Sequence, residues 1–234
     1  MANNLPIGDA LRFGWEGTKK NFWFLLGLLI LFYLVQFGAT MFLAFLLHLN
    51  EGLQGLAGAL GYVVNLASNL VFATGTVAVA LKICDGQRPG LGDFICEGKV
   101  LGFYFLWLLI LVPLLMTGFL LLIVPGVYLA IRLGQGAYFI VEQKDNPIDA
   151  LKKSWEATQG AAMDLFLYYL VTIAIVFGGL LLLLVGAIPA WFVTMIASAY
   201  IYRVLNQRLT SRSPSPSEAP KDPSTPPPVL VESL

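Results

Sequence analysis

The sequence predicts an all-α protein, a polytopic bundle of six transmembrane helices with short interfacial amphipathic helices and a disordered C-terminal tail. Three observations carry this reading. Charged residues are 12% of the 234-residue chain, about half the share of a soluble domain. Hydrophobic residues are 58% and the mean hydropathy is +0.78. The apolar residues also gather in long runs, and about 20 such residues suffice for a helix to cross a hydrocarbon core about 30 Å thick.

The spans are expected at about 22–47, 57–82, 101–123, 126–142, 163–185 and 187–206. The first run is too long for the apolar core of a signal peptide, so it reads as a retained anchor. Nothing upstream of it matches a lipidation signal. Val124-Pro125-Gly126 divides spans three and four, and Gly186-Ala187-Ile188-Pro189 divides spans five and six. Such Gly/Pro punctuation breaks a helix into a tight hairpin.

Orientation follows from the basic residues. Arg12, Lys19 and Lys20 precede span one, and Lys82, Arg88 and Lys99 accompany the second connection. Lys144, Lys152 and Lys153 lie between spans four and five, and Arg203, Arg208, Arg212 and Lys221 close or follow span six. The opposite connections hold no Lys or Arg, so both termini are expected in the cytoplasm. Cys84 and Cys96 then fall on the reducing side and match no zinc or redox spacing.

Residues 1–208 form one expected membrane domain, and 209–234 the tail. That tail holds seven of the thirteen prolines, with many Ser and Thr. It has almost nothing to bury and is expected to be disordered with polyproline II character. The Pro220/Pro223/Pro226 spacing is one that a proline-rich segment produces by chance.

An internal repeat is visible. Residues 9–18 read DALRFGWEGT and residues 149–158 read DALKKSWEAT, with six of ten positions identical at an offset of 140. A degenerate third copy is suggested at Arg88-Pro89 and Asp93-Phe94-Ile95. Asn146 suits an N-cap, Pro147 the first helical position and Asp149 the positive end of the dipole. Ile148, Leu151, Trp155 and Thr158 share a face, as do Ile7, Leu11, Trp15 and Thr18. Both copies read as amphipathic helices in the cytoplasmic interface, anchored by Trp15 and Trp155 at headgroup depth. The chain thus parses into three helix-plus-hairpin units, about 5–56, 57–123 and 124–206. Convergence of interfacial helices on Trp, Lys and Glu would give the same pattern.

Arg132, about six positions inside span four, is the most informative polar residue, because a buried arginine is costly in a bilayer. Asn65 and Asn69, four apart on span two, could accept from its guanidinium; Tyr128, Gln135 and Glu142 are local alternatives. The arrangement could be a ligand site, an interhelical lock, or an arginine snorkelling outward. Gly52, Gly55, Gly58 and Gly61 point to close helix packing or a flexible loop. Pro113 inside span three could break the helix, or simply kink it. Asp164 reads as a helix-terminus charge.

Little favours catalysis. His48 is the sole histidine, with only Glu51 nearby, which excludes a multi-histidine metal site. No glycine-rich phosphate loop precedes a helix. No enzyme activity, cofactor or metal is expected. The lipid bilayer is the expected partner, with room for membrane-protein partners or a homo-oligomer; zero net charge gives no sign of nucleic acid.

The stretch from Ile123 to Gly160, read as IVPGVYLAIR, then VE, then NPIDALKKSWEATQG, resembles uncharacterised bacterial inner-membrane proteins. It is also similar to the membrane domain attached to some glycerophosphodiester phosphodiesterases. Pro125, Gly126, Tyr128, Arg132, Glu142, Pro147, Ala150, Leu151, Ser154, Trp155 and Gly160 carry the likeness, and IGDALRFGWEGTKKN fits the family's opening. It covers about residues 5–208 and implies six helices in a bacterial inner membrane. It transfers no catalytic residue, since the phosphodiesterase chemistry belongs to a separate barrel. The expected role is a non-enzymatic organiser of lipid or partner proteins. The alternatives are a small-molecule or lipid transporter with a site near Arg132, and a membrane accessory subunit of a separately encoded enzyme.

Overall fold

The computed structural model describes residues 5–49, 54–181 and 186–212. Within them the chain is helical: α1 (Ile7–Leu49), α2 (Gln54–Cys84), α3 (Gly98–Leu121), α4 (Ile123–Leu133), α5 (Gly136–Gln143), α6 (Pro147–Ala157), α7 (Ala162–Leu181) and α8 (Ala187–Arg212). A single 3-10 turn, Leu91–Phe94, lies between α2 and α3. Six segments are long and apolar enough to span a membrane, with α4 and α5 together making the fourth. The molecule is a multi-pass α-helical membrane protein.

The bundle is organised around α8, which packs on α1, α2 and α7. Ile196, Ala197, Ala199, Ile201, Tyr202 and Leu205 are fully buried along it. Small residues let backbones approach closely where no hydrophobic effect drives helices together. A Cβ on Gly14 of α1 would lie 2.5 Å from the Val193 carbonyl oxygen, and one on Gly118 of α3 only 3.0 Å from Gly126 Cα.

Several expectations are corrected. The N-terminal copy of the repeat is no separate interfacial helix, because α1 runs unbroken from Ile7 into span one. Its glycines at 14 and 17 sit in helix against α8 and α2, and no proline interrupts it. The suggested third copy is the 3-10 turn rather than an amphipathic helix. The turn between spans three and four falls at Leu122, in extended backbone (φ −170°, ψ 152°). Pro125 occupies the first turn of α4, where its missing N–H has no intrahelical acceptor to lose. Pro189 sits likewise in the first turn of α8.

Helix α3 continues through Pro113, and Thr117 donates to the Pro113 carbonyl at 2.8 Å. Asn146 is the N-cap of α6 but its side chain makes no cap hydrogen bond. Helix α8 extends to Arg212, past the expected start of the tail. The Pro220/Pro223/Pro226 spacing, Glu51 and Gly52 lie outside the described residues.

Candidate functional site: the buried arginine under α6

Helix α4 ends at Leu133 and the chain turns at Gly134–Gln135 before α5. Lys144 then adopts a left-handed conformation (φ 55°), and α6 folds back along α5. This return places Trp155 over Arg132. The ring centroid lies 4.1 Å from the guanidinium carbon, and the Tyr128 ring lies 5.7 Å away. Trp155 and Tyr128 meet edge to face. Arg132 itself is only 4% exposed.

Two hydroxyls, Ser154 within α6 and Thr158 at its C-cap, pin the same residue from its backbone side. Ser154 donates to the Arg132 carbonyl at 2.7 Å, and Thr158 lies 3.4 Å from it while donating to the Ser154 carbonyl at 2.7 Å. Serine and threonine thus take up a carbonyl left over where α4 ends. An arginine is suited to this place because its planar, weakly hydrated cation stacks on aromatic faces.

The structure does not bring Asn65 and Asn69 to Arg132. Both are exposed on α2, and Asn69 Nδ2 donates to Asn65 Oδ1 at 2.9 Å and to the Asn65 carbonyl at 2.8 Å. Gln135 is buried and donates to the Tyr169 hydroxyl at 3.3 Å. Glu142 belongs to another network. It accepts from the Tyr202 hydroxyl at 2.5 Å and pairs with Arg203, whose guanidinium also reaches Asp85 at 2.7 Å. Arg203 therefore ties α5, α8 and the end of α2 together. Nothing in the sequence pattern links these three residues. Among the described residues, Arg132 Nε, Gln135 Oε1 and Trp107 Nε1 are buried without a hydrogen-bond partner, and all three lie around the α4–α5 turn.

The two repeat segments share a pattern of burial. Ala10 and Ala150 are fully buried, as are Thr18 and Thr158 to within 1%. Trp15 is 51% exposed and Trp155 39%. Lys19 lies 5.3 Å from the Trp15 ring, where Arg132 serves Trp155. Asp164 sits in the first turn of α7 and accepts from the Leu5 backbone N–H at 2.9 Å.

Surface ion pairs complete the basic end. Lys82 meets Asp93 at 2.5 Å, Lys144 meets Glu97 at 2.5 Å, and Lys153 meets Asp145 at 2.7 Å. Hydrogen bonds from Lys82 and the Gly90 N–H hold the Asp93 carboxyl below the usual carboxylate range. The hydrogen bond and charge of Lys144 do the same for Glu97. Burial pushes the Cys96 thiol up, away from the thiolate form that makes a cysteine reactive. Gly61 packs against Leu43, whereas Gly55 and Gly58 face open space. Among the described residues, no three His, Cys, Asp or Glu side chains gather closely enough to hold a metal ion.

No protein-family model, curated protein or solved structure matches the chain. Its class rests on the fold: an integral, multi-pass α-helical membrane protein.

Proposed function

We propose that this chain is a non-catalytic component of a bacterial inner membrane that gathers lipid at its cytoplasmic face, with both termini on that side. One observation carries the reading. Residues 9–18 and 149–158 bury the same alanine and threonine positions and expose the same tryptophan. Exposed tryptophan on an amphipathic segment is suited to headgroup depth, where one edge of the ring is apolar and the other wet. Lys19, Lys20, Lys152 and Lys153 flank these rings, and each basic residue near an anionic surface adds about 1 kcal/mol of attraction. We read the two segments as copies of one ancestral unit, in keeping with the resemblance to the phosphodiesterase-linked membrane domain.

The test is lipid retention. Protein extracted into nanodiscs from mixed lipids is expected to hold anionic lipid above its bulk share, and the Trp15→Ala/Trp155→Ala variant to lose that excess while staying folded. Bulk composition around both proteins would refute the proposal.

A further inference from the structure

We propose that two copies of this chain associate through the face of α2 that carries Asn65 and Asn69. This surface is separate from the lipid-contacting segments. The two asparagines are exposed although they lie within an apolar span, Gly58–Cys84. Asn69 lies close to the centre of that 27-residue span, and so near the middle of the hydrocarbon layer. Polar side chains at that depth ordinarily face the interior of a bundle. Here they face outward: both are exposed, on a helix whose apolar window is only 28% buried, against 56% for span four.

The hydrogen bonds of the pair use the Asn69 amide hydrogens and the Asn65 oxygens. The Asn65 Nδ2 donors and the Asn69 Oδ1 acceptor are left for a partner. A second copy supplies the matching chemistry without further assumption. Two chains inserted in the same orientation are related by a twofold axis along the membrane normal, so identical residues meet at identical depth. Each amide then meets the amide of its twin, donor to acceptor. A groove of about 530 Å³ beside Asn65, with Gln36 and Thr40 on its α1 wall, gives the twin's side chains room to seat.

The experiment uses the full chain in lipid bilayers. Single-molecule photobleaching is expected to show a density-dependent dimer, and Asn65→Leu/Asn69→Leu to raise its dissociation constant about tenfold, as for the loss of interhelical hydrogen bonds. Oxidative cross-linking is expected to give a product of twice the chain mass for Asn69→Cys but not for Ile173→Cys. Ile173 is equally outward-facing on α7, at 53% exposed, and the parent chain serves as the blank for Cys84 and Cys96. A parent chain that stays monomeric at every density would overturn the proposal. So would a double variant that dimerises undiminished, cross-linking at 173 equal to that at 69, or a position-69 product in native membranes of any other mass.

Discussion

Trp155 stacks on the guanidinium of Arg132 with only 4.1 Å between ring centroid and charge centre, although the two residues belong to helices joined through a third. The contact resolves what an arginine does inside an apolar span. Its charge is met by the π face of Trp155 rather than by an acid or the asparagines of α2. In a desolvated setting such a stack is worth about 2 kcal/mol.

Trp155→Ala is therefore expected to lower stability in detergent by about 2 kcal/mol, and Trp155→Phe by less, since phenylalanine keeps a weaker π face. Arg132→Leu should be tolerated better than Trp155→Ala, because it removes the charge together with its need for a partner. Thermal unfolding followed by circular dichroism checks the order; equal losses for all three would count against the stack.

Ser154→Ala leaves the Arg132 carbonyl with only the long Thr158 contact. A loss of about 1 kcal/mol is expected, the usual worth of a buried hydrogen bond. Hydrogen exchange should rise in α6 before it rises in α8, because α6 loses its pin to α4 while the centre of the bundle is untouched.

Arg203→Gln removes the cation shared by Glu142 and Asp85, leaving a half-buried and an exposed carboxylate without their common partner. A loss of about 2 kcal/mol is expected, and Glu142→Gln in the same chain should recover part of it, because the repelling charge goes. A double-mutant cycle on the unfolding midpoint measures the coupling; strict additivity would contradict the shared bridge.

Gly14→Ala places a methyl 2.5 Å from the Val193 carbonyl oxygen. Backbone must give way, so a loss of about 1–3 kcal/mol is expected. Gly27→Ala on the same helix meets nothing within 4 Å and should be neutral or slightly stabilising. Paired thermal melts separate the two.

Acid should weaken the basic end. Asp93 and Glu97 are held below their ordinary range by Lys82 and Lys144. Their contacts therefore add stability at neutral pH, and that share is lost as pH falls from about 4 through the lower folded-state values. The effect is small because both carboxyls reach solvent. Asp93→Asn is expected to lower the neutral-pH melting point slightly and flatten part of its decline below about pH 4.

The spans were legible because each is a mainly apolar run of about the length that crosses a bilayer, a signal that no tertiary contact can reverse. Arg132 also stood out from composition alone. Its partner did not, since Trp155 reaches it only because Lys144 turns the chain left-handed and sends α6 back along α5. The Asn65–Arg132 pairing failed for a related reason: helical spacing puts the asparagines on one face of α2 but does not say which helix that face meets. The continuity of α1 was hidden by its charges, for Arg12, Lys19 and Lys20 mark an interface but do not end a helix. The Arg203 bridge joins residues more than 60 positions apart and has no local pattern at all.

Lipid gathering as proposed requires Trp15 and Trp155 to lie against lipid headgroups. Vesicles with lipids brominated near the glycerol or near the chain ends test it most directly. The fluorescence that disappears on Trp155→Phe, and separately on Trp15→Phe, is the signal of each ring. Strong quenching of both by the shallow bromines, and weak quenching by the deep ones, is expected. Equal quenching at the two depths, or none from either, would contradict it.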